Sequence, residues 1–266
     1  MDFVYTKSMK ETLTIRQTKI GEGKPLLCAP IIEEARDGIL SECRSLMNTS
    51  ADMIEWRADL FEEIGNTEAV IAILERMRVI VGEKLLLFTC RSRQQGGNGA
   101  LSEEGNIQLL LAVAESGYAD LIDLEYFAVK RPEKAIRQLH EAGAVIVASH
   151  HDFQETPPVE AIEQLLDNMA SSGADIVKLA VMPKNMEDVL RLLAATERFK
   201  KEWPDKPIIT MSMGRYGMLS RMCGEFFGIA VTFGYHRRAS APGQIALDEL
   251  SQMLTKIHEE YGEEPV

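Results

Sequence analysis

Eight strand-length runs recur along the chain at a spacing of about 30 residues, and that beat limits the architecture more than any other feature. They are LLCAPI (26–31), DMIEWRAD (52–59), KLLLFTC (84–90), DLIDLEY (120–126), AVIVASHH (144–151), DIVKLAV (175–181), IITMSM (208–213) and VTFGY (231–235). Amphipathic helical patterns separate them. Ile162, Leu165, Leu166 and Met169 mark one helical face, with Thr156 expected as N-cap, Pro157 in the first turn and Gly173 past the end. Val189, Leu192, Leu193 and Thr196 mark the next face, ahead of Pro204. Leu247, Leu250, Leu254, Ile257 and Tyr261 mark the last. Ser102 should cap the helix after the Gly-rich stretch GGNGALSEEG, which reads as a mobile loop. This alternation describes an α/β fold, a (β/α)8 TIM barrel, with a short N-terminal β-hairpin within residues 12–25. A doubly wound open sheet ranks second, because no G-x-G-x-x-G fingerprint is present. No linker or low-complexity stretch divides the chain, so residues 1–266 read as a single barrel domain.

Side chains alternate along a strand, so parity shows where the charges go. In MIEWRAD, Glu55, Arg57 and Asp59 share one face, against Ile54, Trp56 and Ala58. In LIDLEY, Asp123 and Glu125 oppose Ile122, Leu124 and Tyr126. In IVKLAV, Lys178 lies with Ile176 and Ala180, against Val177, Leu179 and Val181. The apolar faces suit packing beneath helices, which sends the charges into the barrel. A charge buried there must pair or do work. For Lys178, closure of the barrel weakens the reading of an edge-strand lysine. Two readings remain: an ion pair with Glu125, or a desolvated amine that forms a Schiff base with a ketone. Met211 and Met213 share a face of the next strand, as core filling or as an apolar wall to such a site.

Of five histidines, His140 and His258 fall in helical patterns and read as solvated. His236 sits in the basic stretch HRRAS, as a loop residue or a ligand contact. His150 and His151 end the fifth run, next to the Lys178 run. Adjacent strand residues point to opposite faces, which argues against a two-histidine metal site. One of the two can still face the cavity at the C-terminal rim, where barrel enzymes keep their chemistry. Cys90 beside Arg91 is either a nucleophile or a buried structural thiol.

The charge balance, 29 basic against 41 acidic residues for a net of -12, argues against a general nucleic-acid or anionic-membrane surface. The four cysteines show no C-x-x-C spacing, which disfavours a zinc site or disulfide framework and fits a reducing cytosol. The opening MDFVYTKSMKETL is too charged for a signal peptide, and no apolar run reaches membrane-span length. A cytoplasmic location is therefore expected.

At ASHHDF followed by GADIVKLAVMP, then ITMSMGRYGMLSR and ASAPGQI, the chain resembles type I 3-dehydroquinate dehydratase. DMIEWRAD, LLFTCRS and LIDLEYF fall in matching order, so the resemblance runs from about residue 25 onward. It implies a (β/α)8 barrel, usually a homodimer, that dehydrates 3-dehydroquinate in the shikimate pathway without metal or organic cofactor. It makes Lys178 the Schiff-base lysine, His151 the general acid/base and Arg221 the clamp on the substrate carboxylate. It sets Glu55, Arg57 and Arg91 around the ring hydroxyls, and Ser240 and Gln244 in a closing loop. The loop after the third strand reads RSRQQGG, so Gln95 stands where the family often has a glutamate beside the histidine. A class I aldolase-type barrel acting on a phosphosugar is the alternative, with HRRAS as its phosphate site. A barrel that binds a carboxylated ring without turnover and a metal-dependent hydrolase are more distant readings.

Overall fold

The computed structural model describes residues 12–99 and 101–261. Most of MDFVYTKSMKETL, and with it the reading that it is no signal peptide, lies outside the described residues. So do Ala100 in the Gly-rich loop and the side chain of Tyr261. The N-terminal hairpin pairs β1 (Thr14–Ile15) with β2 (Thr18–Lys19), turned by Arg16 in the left-handed region (φ 55°). The chain then alternates β3 (Leu26–Ile31), α1 (Arg36–Leu46), β4 (Met53–Arg57), α2 (Thr67–Val81), β5 (Leu85–Thr89) and α3 (Glu103–Ser116). It continues through β6 (Leu121–Glu125), α4 (Pro132–Glu141), β7 (Val145–Asp152), α5 (Val159–Ser171), β8 (Ile176–Val181) and α6 (Met186–Glu202). It ends with β9 (Ile208–Ser212), α7 (Met218–Met222), β10 (Val231–Tyr235), β11 (Ile245–Ala246) and α8 (Leu247–Tyr261).

The large sheet runs β11-β10-β3-β4-β5-β6-β7-β8-β9, with every pairing parallel. A parallel bridge between Ile208 and Ile229, with Ala230 N–H donating to Ile208 O at 2.8 Å, closes the curl between β9 and β10. Sequential neighbours around a closed sheet are the barrel's order, not that of a doubly wound sheet.

Parity sorts the side chains as the sequence implied. Ile54, Trp56, Phe88, Ile122, Leu124, Val177 and Leu179 point outward and are buried against the helices. The inward column changes character along each strand. Met53, Leu85, Leu121, Val147 and Ile176 fill the lower barrel, with Ile20 of the hairpin segment joining the same cluster. One step higher on four of these strands stand Glu55, Asp123, Ser149 and Lys178, all buried. Hydrophobic closure below and polar groups above place the site at the C-terminal rim.

Several local expectations need correction. Thr156 does not cap α5; Pro158 holds the N-cap position, and Thr156 Oγ1 is buried without a partner among the described residues. Each proline disfavours helical geometry in the residue before it, so the Thr-Pro-Pro run stays extended until its last member. Ser102 does cap α3, accepting from Gly105 N–H at 3.1 Å. Asp59 is not on strand β4 but in the 3-10 turn after it. His140 and His258 are not simply solvated: His140 lies 2.9 Å from Asp175 and His258 2.6 Å from Glu225. Among the described residues no helix is long and apolar enough to cross a membrane.

Candidate active site

Lys178 reaches the interior because β8 puts it two residues above Ile176 on the inward column. Its Nζ lies 3.3 Å from Glu55 Oε1 and 3.3 Å from Asp123 Oδ2, and 4.5 Å from the centroid of the Phe233 ring. The expected partner, Glu125, is instead taken by Arg91. Glu125 stands one inward step nearer the rim than Asp123, level with the arginine that follows β5. Arg91 donates to Asp123 (2.8 Å), Glu125 (3.0 Å) and Ser149 Oγ (2.9 Å). Ser149 in turn donates to the other Asp123 oxygen at 2.6 Å. Burial alone would raise the Asp123 carboxyl; Arg91 and Lys178 outweigh it and hold the group down at about 2.

Arg57 and Asp59 form a two-pronged ion pair at 2.7 and 2.8 Å. Asp59 also accepts the backbone N–H groups of Arg91 and Asn98 at 3.1 and 3.0 Å. The loop after β5, expected to be mobile, is therefore tied down at its start. Gly97 and Gly99 lie against the Arg91 carbonyl so closely that a Cβ at either would clash with backbone.

That tethering delivers Gln95 to His151. Gln95 Oε1 accepts the His151 backbone N–H at 2.8 Å and sits 3.0 Å from His151 Nδ1. A backbone N–H can only donate, so the amide atom facing it is the oxygen. His151 Nδ1 must then carry the proton, leaving the Nε2 lone pair as the ring's base. Burial, reinforced by the positive charges of Arg91, Lys178 and Arg57, keeps the imidazole well below its usual range. His151 is thus neutral at neutral pH. His150 points the other way and packs edge-on against Phe127, with ring centroids 5.2 Å apart.

Arg221 is the anomaly. It is 1 % exposed, yet its Nε and Nη2 have no partner and it has no ion pair among the described residues. Nη1 reaches Met211 Sδ at 3.6 Å and the Phe233 carbonyl at 3.4 Å. Burial without a counter-charge depresses the guanidinium from its ordinary value to about 10. Such a group awaits an anion.

One cavity of about 520 Å³ opens at the rim, with Asp123, Glu125, Ser149 and Asp59 outside its lining. Its wall includes Lys178, His151, Glu55, Arg57, Arg91, Arg221, Ser240, Gln244 and Gln95, the residues to which the family resemblance assigned roles. Met211, Met213, Phe153 and Phe233 add apolar surface. Gln244 braces the loop of residues 236–244 by accepting from Ser240 N–H at 2.8 Å and donating to Ser240 Oγ at 3.0 Å. Asp123 was placed inside by parity but given no role, and Ser149 was missed altogether. Its parity with His151 was the available signal. Cys90 is buried and its thiol is pushed up to about 12, chiefly by burial, which leaves little thiolate at neutral pH.

Comparison with known proteins follows the same lines. The family model described as Type I 3-dehydroquinase matches residues 27–261. A 3-dehydroquinate dehydratase of Bacillus velezensis is 41% identical over 249 residues, covering 93% of this chain and 98% of that protein. One from Clostridioides difficile is 40% identical over 251 residues, covering 94% and 98%. Among solved structures, a type I 3-dehydroquinate dehydratase from Clostridium difficile with covalently modified comenic acid superposes with a TM-score of 0.91. It shares 40% identity and covers 95% of this chain and 100% of that one. The 3-dehydroquinate dehydratase of Geobacillus kaustophilus gives a TM-score of 0.91 at 38% identity, covering 94% and 97%.

Proposed function

The chain belongs to the type I 3-dehydroquinase family of hydro-lyases, and from that premise we propose that it dehydrates 3-dehydroquinate to 3-dehydroshikimate through an imine on Lys178. The observation that carries the reading is the convergence of a buried lysine, a neutral half-buried histidine and an unpartnered buried arginine on one cavity. Arg221 takes the ring carboxylate, which neutralises its uncompensated charge. Ser240 and Gln244 close behind that carboxylate. Glu55, Arg57 and Arg91 face the ring hydroxyls.

The Lys178 amine attacks the C3 carbonyl, and loss of water gives a protonated imine. That cation is an electron sink, which makes the adjacent C2 proton acidic enough for imidazole to remove. His151 Nε2 takes the proton and leaves an enamine. The enamine electrons expel the C1 hydroxyl, to which His151 returns the proton, so water departs from the face that lost hydrogen. A second water hydrolyses the conjugated imine and frees Lys178. Asp123 and Glu55, at 3.3 Å, hold the amine in place through long hydrogen bonds. No step calls for a metal or organic cofactor.

Residues 1–266 acting as one catalytic domain, a homodimeric assembly and a cytoplasmic location belong to the same proposal, supported by the family resemblance. The phosphosugar aldolase is disfavoured because His236 and Arg237 of the HRRAS stretch are engaged by Glu42, at 2.9 and 3.2 Å. Adding 3-dehydroquinate and following ultraviolet absorbance tests the reading: a conjugated enone should accumulate, undiminished by excess chelator or phosphate. A flat absorbance trace would overturn it.

Gln95 yields a second expectation. It orients His151 without supplying charge, so the acidic limb of kcat/KM should lie below the ordinary imidazole range. Gln95→Glu adds a carboxylate within about 3 Å of the ring, which favours imidazolium and should raise that limb by roughly one to three pH units. Gln95→Ala should cut turnover by loosening the ring while leaving the limb low. The histidine also has a stability consequence. The unfolded chain binds its proton near the ordinary value and the folded chain only far below it, so stability falls as pH drops below about 6.5. An identical pH profile in Gln95→Glu would sever the link between Gln95 and catalysis.

A further inference from the structure

α1 packs with Ile39, Leu40, Cys43 and Leu46 buried, and a carboxylate intrudes among them. Glu42 is 5 % exposed and therefore needs a partner. Its partners come 194 residues later in the chain: His236 Nδ1 lies 2.9 Å from Oε1, and Arg237 Nε 3.2 Å from Oε2. These are the two residues that follow β10, the first two of the loop carrying Ser240. Arg237 also donates to Ser45 Oγ at 3.2 Å, and Arg238 to the Ile32 carbonyl at 3.5 Å, so the whole stem lies on α1 and the end of β3. The far side of the loop has a separate anchor, Gly214 N–H donating to Pro242 O at 3.0 Å. Gly243 there has a φ of 78° and lies so close to Gly214 that a Cβ would strike its carbonyl. Few residues separate the two anchors, and Ser240 is among them. Where the stem sits decides where Ser240 points.

We propose that Glu42 is a positioning residue for substrate binding, fixing the stem of the 236–244 loop through His236 and Arg237. Glu42 lies outside the cavity lining and touches no reacting group; it acts through the loop. The proposal rests on the reading that this cavity takes the carboxylated ring under Arg221.

The test is Glu42→Gln, which keeps shape and loses charge, beside Arg237→Ala at a side chain 60% exposed, whose removal leaves the fold intact. Two measurements are made on each: steady-state kinetics with 3-dehydroquinate, and amide hydrogen exchange of peptides covering 236–244 and Ile176–Val181. The expected result is a KM raised roughly three- to tenfold with a smaller change in kcat, the pattern of lost binding energy. Exchange should quicken in 236–244 and stay constant in β8. The double variant should do little more than Glu42→Gln alone, since the Arg237 contact is one of the two that Glu42 makes. A lowered melting temperature with unchanged KM and unchanged exchange would make Glu42 merely structural. Faster exchange with unchanged KM would also overturn the proposal, as would a raised KM with no change in exchange. If the wild type fails to turn over 3-dehydroquinate, the functional reading falls and the exchange data alone judge whether Glu42 holds the stem.

Discussion

Borohydride added together with 3-dehydroquinate should inactivate the enzyme and leave ligand mass on the peptide that contains Ile176–Val181. The chemistry requires it if the imine is on Lys178: reduction converts a hydrolysable C=N bond into a secondary amine and strands the ligand. Borohydride without ligand should leave activity intact, because no imine would exist to reduce. On the proposed mechanism Lys178→Ala loses the electron sink, and no other lysine lines the cavity. Turnover should fall by about four orders of magnitude or more, the scale on which an obligate nucleophile is lost. The variant should still fold. Asp123 keeps Arg91 and Ser149, and Glu55 keeps the Thr89 hydroxyl at 2.9 Å, so neither carboxylate is orphaned. Ligand trapping of equal extent on Lys178→Ala would move the imine elsewhere.

The eight long strands and the parity of their side chains were legible because each depends on short-range pattern, whereas the two-residue β11 carried no such pattern and the candidate site residues were marked by family motifs. Period-two alternation puts Glu55, Asp123 and Lys178 inside the barrel without any knowledge of strand register. Pairing is a different matter. That Lys178 meets Asp123 and Glu55 while Arg91 takes Glu125 depends on how far each strand is staggered against the next, which alternation does not encode. The Arg221 site divides the same way. The family motif marked the residue, but its lack of any counter-charge is a property of the packed interior. Gln95 was legible as a departure from a pattern, whereas the tautomer it imposes on His151 needs the second hydrogen bond from the backbone. The pairing of Glu42 with His236 left no local trace, since α1 and the last loop become neighbours only when the barrel closes.

Replacing Arg221 should weaken catalysis and strengthen the resting fold at once. The guanidinium is buried with two nitrogens unpartnered among the described residues, and its fall from the ordinary value to about 10 corresponds to about 3 kcal/mol against the charged form. The unfolded chain protonates at the ordinary guanidinium value and the folded chain only below about 10, so this cost is present in full at neutral pH and fades as pH rises above about 10. Arg221→Met keeps the volume and removes the charge, and should stabilise the ligand-free enzyme by roughly 1–3 kcal/mol. A substrate carboxylate supplies what the arginine lacks. Charge-assisted hydrogen bonds contribute about 1.5–3 kcal/mol, so losing them should cut kcat/KM by roughly ten- to 150-fold. Thermal melting with and without a carboxylate inhibitor reads both effects. The wild type should melt lower when empty and gain strongly on binding, while Arg221→Met should melt higher when empty and gain little. An Arg221→Met protein that is destabilised when empty, or that keeps the wild-type response to carboxylate ligands, would assign the clamp to another cation.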